Sequence, residues 1–183
     1  MLRELSSFEL QTFFTYSHAE HELTGRRRGP TTKLGLALHI GLAAQLGAAW
    51  IAHSFRGQTT AAEGIAAVLR DSARRLSEDN YEAGCPVAIV TLERGSHSPD
   101  LTNACAAAFA SWRRQLAQAL EERGFAPERA SGIALTALVV LEGCLVVGRA
   151  TGSTEAFELG LATLLGQLGE EGEARPLSSG QTS

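Results

Sequence analysis

Residues 127–150 contain the most unusual candidate for chemistry in the chain, the carboxyl group of Glu142. Wound on a helix of 3.6 residues per turn, this segment shows no clean polar face, so it predicts a helix that is buried on every side. A buried carboxylate must be paired, hydrogen-bonded, neutral or next to a cavity. Two interpretations follow: a structural acid satisfied by a neighbouring helix end or a second copy, or an acid that lines a ligand cavity.

Three cysteines and one tryptophan are further side chains with chemical potential. Cys85, Cys105 and Cys144 lie in apolar surroundings, which is typical of small buried residues and of reduced thiols. Trp112 fits either core packing or a small-molecule pocket between helices. The sequence shows no phosphate-binding loop, dinucleotide fingerprint, zinc-type cysteine spacing or triad context. We therefore expect no enzyme, no catalytic residue, no cofactor and no metal site.

The composition is that of a globular protein. The 183 residues are 44% hydrophobic, which suffices for one domain, or one and a small appendage, without disulfide or metal staples. The net charge of −4 argues against a protein that binds polyanions over its whole surface, although it allows a local basic patch. Without a recognisable signal peptide, we expect a cytoplasmic location.

Helical patterns must position these side chains, and the predicted fold class is all-α. Capping signals predict helix starts at Thr60 and Ser98, and a proline predicts the start of the central helix at Pro127. The run Val87–Leu92 fits a strand or a short helix, and Pro86 favours the helix. The stretch Leu34–Ala52 is about long enough to span a membrane, but its alanines and glycines favour a buried helix in a soluble protein.

Two segments resemble one family. Residues 83–88, Ala-Gly-Cys-Pro-Val-Ala, closely resemble a Gly-Cys-Pro-Val/Leu segment in the C-terminal domain of TetR-type regulators, especially the LmrA/YxaF-like branch. Residues 141–150, Leu-Glu-Gly-Cys-Leu-Val-Val-Gly-Arg-Ala, are similar to a Leu-Glu-Gly stretch of the same branch. The final helix, capped by Ser153, fits as well. The resemblance covers about residues 57–168.

The resemblance implies a TetR-like C-terminal bundle of about five helices, preceded by a degenerate helical N-terminal region. It implies a ligand-responsive transcriptional repressor that binds DNA, a small hydrophobic ligand and a second copy of itself, and no membrane. Residues 1–56 then form an atypical DNA-binding head, and residues 57–169 form the ligand-binding and dimerisation domain. The composition of residues 170–183 predicts a disordered tail.

The resemblance also implies residue roles by position. In such regulators the last two long helices pair with those of a second copy as a four-helix bundle. The predicted dimer interface consists of Leu141, Leu145, Gly148, Phe157, Leu161 and Leu164. The predicted ligand pocket consists of Cys85, Phe109, Trp112, Leu116, Leu138 and Glu142.

Residues 1–45 depart from the family pattern, because they show no helix-turn-helix signatures in order. Contacts to DNA phosphates, which position a protein without reading sequence, are predicted for Arg26, Arg27, Arg28 and Lys33. A solvated basic loop is the other interpretation. A diverged head, a shifted reading frame and a different N-terminal module all remain open. The alternative function is a helical small-molecule-binding or dimerisation module that has lost DNA binding, and a third is a membrane-associated protein.

Overall fold

A computed structural model of the chain describes residues 33–82, 84–94 and 98–169. These residues form six α-helices and no strand: α1 (Lys33–Phe55), α2 (Ala61–Glu78), α3 (Pro86–Arg94), α4 (Pro99–Glu121), α5 (Pro127–Thr151) and α6 (Glu155–Gly169). The predicted all-α class is confirmed, and the run Val87–Leu92 is helical. The predicted head residues Arg26, Arg27 and Arg28 and the predicted tail lie outside the described residues, as does the side chain of Lys33.

The helices begin where local signals place them. The Thr60 hydroxyl accepts a hydrogen bond from the Glu63 N–H at 3.2 Å, and the Glu63 carboxylate accepts one from the Thr60 N–H at 2.9 Å. This reciprocal pair satisfies two amide donors that a helix start leaves open. Three helices begin at a proline, whose missing N–H costs nothing in the first turn, namely Pro86, Pro99 and Pro127.

Helix α1 packs along α4, and a tryptophan fixes the contact. The indole Nε1–H of Trp112 donates to the Ala44 carbonyl at 2.9 Å. A β-carbon at Gly47 would collide with the Trp112 ring, so the glycine permits this close approach. Residues 33–55, which the sequence assigned to the N-terminal region, therefore share one core with the helices that follow.

Helix α5 is enclosed on part of its surface only. It packs against α2, α4 and α6. Leu135, Val139 and Val146 remain 46%, 63% and 60% exposed, and their spacing aligns them along one side of the helix. Val147 of α5 and Leu159 of α6 are also exposed. These five side chains are called the exposed apolar face below.

Within the described part of the chain, two helices are long and apolar enough to cross a membrane by length and composition, namely Gly35–Phe55 in α1 and the whole of α5. Both pack against other helices of the bundle. Because the core helix of a soluble protein has the same length and composition, this property alone does not favour a membrane location.

We expect Gly47→Ala to destabilise the bundle, because the added methyl group collides with the rigid indole of Trp112. Overpacking of this kind costs about 1–3 kcal/mol, which should lower the midpoint of urea unfolding. Gly41→Ala in the same helix is the matched control, since its β-carbon meets nothing within 4 Å. The control should gain about 0.5–1 kcal/mol from higher helix propensity. Equal midpoints for the two variants would contradict the close approach.

Candidate functional site

A cavity lies where α1, α2, α4 and α5 meet beside Cys85, the residue before α3. Its free space is about 360 Å³ including the part that is open to solvent, and about 20 Å³ of this can hold the centre of a water molecule. The lining is almost entirely apolar, which is typical of small-molecule sites. It consists of Gly47, Trp50, Ile51, Ser72, Cys85, Trp112, Leu138, Leu141, Glu142 and Leu145.

Glu142 is the acid in this lining. Its carboxylate shares a hydrogen bond with the Cys85 thiol, and its Oε2 atom is buried without a hydrogen-bond partner among the described residues. Burial disfavours the charged form and raises the pKa of Glu142 to about 7, against a smaller lowering by the Cys85 hydrogen bond. The acid is therefore close to half ionised at neutral pH.

The Cys85 thiol is the donor in this pair. Burial, and next the negative charge of Glu142, raise the pKa of Cys85 well above its usual value, so the thiol keeps its proton at neutral pH. The Ala88 N–H donates to Cys85 Sγ at 3.4 Å and holds the sulfur in place. A protonated, buried thiol is a poor nucleophile, so Cys85 contributes packing and one hydrogen bond.

Both tryptophans of the lining use their N–H groups elsewhere. Trp50 Nε1 donates to the Asp71 carboxylate at 2.7 Å, and Trp112 Nε1 donates to the Ala44 carbonyl at 2.9 Å. Burial alone would raise the pKa of Asp71, but hydrogen bonds from Arg75, Arg74 and Trp50 outweigh it and lower that pKa. Asp71 therefore stays ionised, and the indoles present ring carbons to the cavity.

The hydroxyl of Ser72 is also committed as a donor. Its Oγ–H donates to the Val68 carbonyl one turn earlier at 2.9 Å, which leaves only the oxygen lone pairs to accept. When Glu142 is ionised, the polar side-chain atoms that the lining leaves uncommitted are hydrogen-bond acceptors, with Glu142 Oε2 as the strongest.

The structure brings four of the six residues predicted for the pocket into the lining: Cys85, Trp112, Leu138 and Glu142. Phe109 packs edge-on against Trp112 with ring centroids 5.4 Å apart, and Leu116 is buried outside the lining. The sequence reasoning missed Gly47, Trp50, Ile51, Ser72, Leu141 and Leu145 as lining residues. Ser72 carried a usable signal, because it is the polar residue on the buried stripe of α2.

The six residues predicted for a dimer interface are all buried inside the protomer: Leu141, Leu145, Gly148, Phe157, Leu161 and Leu164. A helix that is apolar all round does not reveal which side faces its own core. The apolar side chains that α5 and α6 leave exposed are those of the exposed apolar face, which differs from the predicted set.

Residues 61–160 match the family model of the LmrA/YxaF-like transcriptional regulators, C-terminal domain. The chain belongs to this family. The match includes all of α2–α5 and the first turns of α6, and hence most of the cavity lining. The resemblance read from residues 83–88 and 141–150 is thereby confirmed, and an LmrA/YxaF-like domain is a regulator domain of TetR type rather than an enzyme.

Further comparisons agree with this family. Uncharacterised HTH-type transcriptional regulators from two strains of Mycobacterium tuberculosis are each 33% identical over 82 residues, 42% of this chain and 42% of theirs. The crystal structure of a TetR transcriptional regulator from Legionella pneumophila aligns with a TM-score of 0.65 and 14% identity over 91% of this chain and 99% of that chain. This likeness supports the fold.

A different kind of protein matches a short stretch. A transposase of an insertion sequence element from Comamonas testosteroni is 54% identical over 39 residues, which is 21% of this chain and 4% of the transposase. The chain thus spans less than half the length of each of these curated relatives.

We expect Glu142 to make the stability of this LmrA/YxaF-like domain depend on pH. The folded chain holds this proton up to about pH 7, whereas the usual pKa is 4.5. Between these values the folded state binds more protons than the unfolded state, so the free energy of unfolding falls as pH rises. The loss is complete above pH 7 and amounts to at most ~3 kcal/mol.

Urea unfolding between about pH 4.5 and pH 8 measures this effect. Glu142→Gln should remove that part of the pH dependence, and Glu128→Gln, which is exposed at the start of the same helix, should keep it. Identical pH profiles for wild type and Glu142→Gln would show that the carboxyl is not held in its neutral form.

Proposed function

We propose that this chain acts as a dimeric, ligand-responsive transcriptional repressor of TetR type, located in the cytoplasm. The observation that carries the proposal is the position of helix α5 between the cavity and the exposed apolar face. Leu138, Leu141 and Glu142 line the cavity, whereas Leu135 and Val139 of the same helix belong to the exposed apolar face. A small hydrophobic ligand that prefers one position of α5 would thereby bias the arrangement of two copies.

The exposed apolar face supports dimer formation. Single exposed apolar residues are ordinary, but a stripe along three turns of one helix marks an interaction surface. Val139, Val146 and Leu159 are each at least 60% exposed, on the two helices that pair between copies in the family. The originally predicted residues, such as Leu145 and Phe157, would support this surface from inside the protomer.

We expect Leu159→Glu and Val139→Glu to convert a dimer into monomers, because each variant places a charge in an apolar contact. Leu92→Glu, at a leucine of α3 that is 79% exposed, is the matched control and should leave the dimer intact. Size-exclusion chromatography with light scattering at micromolar concentration measures the mass. A monomeric wild type, or dimers of all three variants, would contradict the proposed interface.

DNA binding is the second part of the proposal. Four predicted phosphate contacts, Arg26, Arg27, Arg28 and Lys33, lie before or at the start of α1. Phosphate contacts supply affinity that falls with salt but carry no sequence information. The three arginines therefore predict salt-dependent association with DNA. Recognition of a particular DNA sequence would need further residues of the head.

A gel shift with the DNA upstream of the protein's own gene tests this part. We expect a specific complex at about 0.1 M salt, and the triple change of Arg26, Arg27 and Arg28 to Ala should reduce the salt slope of log K by roughly 3. Arg70→Ala and Arg114→Ala, at exposed arginines of the bundle, should leave the slope unchanged. Absence of any specific, salt-sensitive shift would contradict the repressor function.

The absence of helix-turn-helix signatures from residues 1–45 favours a second candidate, a ligand-binding dimer without DNA activity. An aligned stretch of 39 residues is too long for residues 161–183, so it involves residues before 61 or overlaps the regulator domain. Residues 1–45, which lack helix-turn-helix signatures, are the part of the chain where unrelated sequence fits. We propose that a stretch of transposase origin stands there in place of the family's DNA-binding head.

The gel shift distinguishes the repressor from the ligand-binding dimer without DNA activity. The repressor requires the gel shift, whereas the module without DNA activity requires a dimer that never shifts this DNA. The nucleotide sequence over codons 1–45, read in all frames, separates them further. A helix-turn-helix in another frame would support a frame shift, and continuous similarity to the transposase would support replacement of the head.

A further inference from the structure

The N-terminal part of α1 is apolar, yet the described residues of the bundle cover little of it. Ile40 is buried there, whereas Leu38 and Leu42 remain 67% and 52% exposed. The two leucines stand about one helical turn apart and therefore lie on the same side of α1. A β-carbon at Gly41 between them would meet no described atom within 4 Å, so this side of the helix is open. Leu38 and Leu42 are called the α1 patch below.

The α1 patch is a different surface from the exposed apolar face. Helix α1 packs against α2, α3 and α4, whereas the exposed apolar face belongs to α5 and α6. A short helical stretch is marginal in water by itself, because most helical stability in proteins comes from packing of an apolar face. The start of α1 therefore needs a packing partner that the described bundle does not supply.

A third exposed leucine lies near the same end of the bundle. Trp112 of α4 bonds to the Ala44 carbonyl of α1. Further along both segments, Arg123 bonds to the Phe55 carbonyl, so α1 and α4 run in the same direction. Helix α3 leads into the start of α4, and its Leu92 is 79% exposed. The end of the bundle where α1 begins thus exposes apolar side chains on two helices.

Residues 1–32, which continue directly into α1, contain side chains that fit such a surface. Phe8, Phe13 and Phe14 are three of the seven phenylalanines of the chain. The other four belong to the core of the bundle or pack against it, namely Phe55, Phe109, Phe125 and Phe157. Because an aromatic ring buries a large apolar area, these three rings gain most from an apolar surface within reach.

The stretch that joins these phenylalanines to α1 is long enough to bring them back. Residues 15–32 span up to about 60 Å when extended, whereas the helical rise places Leu42 only about 14 Å beyond Lys33. Gly29 and Pro30 are typical of points where a chain changes direction. Covalent attachment also gives the segment an effective concentration of about a millimolar, which a separate molecule at micromolar concentration does not match.

We infer that residues 8–14 dock on the α1 patch of the same chain, with phenylalanine rings packed against Leu38 and Leu42. Helix α1 then carries this contact in its N-terminal part and the cavity-lining residues Trp50 and Ile51 in its C-terminal part. The contact ties the segment that precedes the bundle to a helix of the cavity wall. It goes beyond the proposed function and applies to both candidates, because it requires neither DNA nor a second copy.

A photo-reactive residue, p-benzoylphenylalanine in place of Phe13, tests the contact in the full chain. Irradiation joins its benzophenone to C–H groups that it touches, and trypsin then releases residues 34–56, which contain the α1 patch. We expect this peptide to carry most of the crosslinks, in molecules of monomer mass. The same photo-reactive residue in place of Gln181, near the other end of the chain, is the control and should show no preference for this peptide.

Three results of the crosslinking would overturn the inference. Crosslinks between two copies would show that the segment binds a second molecule. Crosslinks chiefly to the tryptic peptides 130–149 and 150–175, which contain the exposed apolar face, would place the segment on that surface instead. Absence of any crosslink to the bundle would show that the segment does not dock.

Urea unfolding provides a second readout. Phe13→Ser and Leu42→Ser should each lower the midpoint, and the combined variant should fall no further than the lower single variant, because either change alone removes the contact. Leu159→Ser, on the exposed apolar face, is the control, and its shift should add to that of Phe13→Ser. Additive shifts of Phe13→Ser and Leu42→Ser would overturn the inference. Neither readout uses DNA, so failure here is distinguishable from failure of the repressor proposal.

Discussion

Helix α5 carries apolar side chains around its whole circumference, and the protomer covers only part of them. Burial of apolar surface contributes about 25 cal/mol per Å², so every uncovered side of this helix leaves stabilisation unused. Helices α2, α4 and α6 cover part of the apolar surface of α5. Glu142 lies one turn after both Leu138, which lines the cavity, and Val139, which is exposed. The acid therefore lies between the cavity and the exposed apolar face, the two surfaces that the proposed ligand response would connect.

The hydrogen-bond donors and acceptors around the cavity are used unequally. Its donors serve the fold: the two indoles tie α1 to α2 and α4 to α1, and the Ser72 hydroxyl turns back on its own helix. The atom that has no hydrogen-bond partner among the described residues is Glu142 Oε2. Burial raises the pKa of this carboxyl group to about 7. Structural use of the hydrogen-bond donors thus sets the polarity of the cavity lining without any residue being devoted to recognition alone. In most apolar pockets a few polar groups decide specificity in this way.

Features that depend on neighbours in sequence were predictable. The pairing of Thr60 with Glu63 and the helix starts at Pro99 and Pro127 follow from local chemistry. Features that depend on packing between distant segments were found in part. Trp50 reaches the cavity because α1 packs on α4, a contact that no periodicity in α1 announces. The dimer residues were predicted on a helix that has no polar side. Such a sequence does not show which side of the helix faces its own core.

The ring of Trp112 is held in place by its neighbours. It forms part of the cavity wall, it meets the backbone of α1 at Gly47, and its N–H holds the Ala44 carbonyl. With no β-carbon between ring and backbone, the indole cannot yield towards α1 and leave that helix where it was. In the proposed ligand response, a molecule that presses on the ring would therefore also move α1.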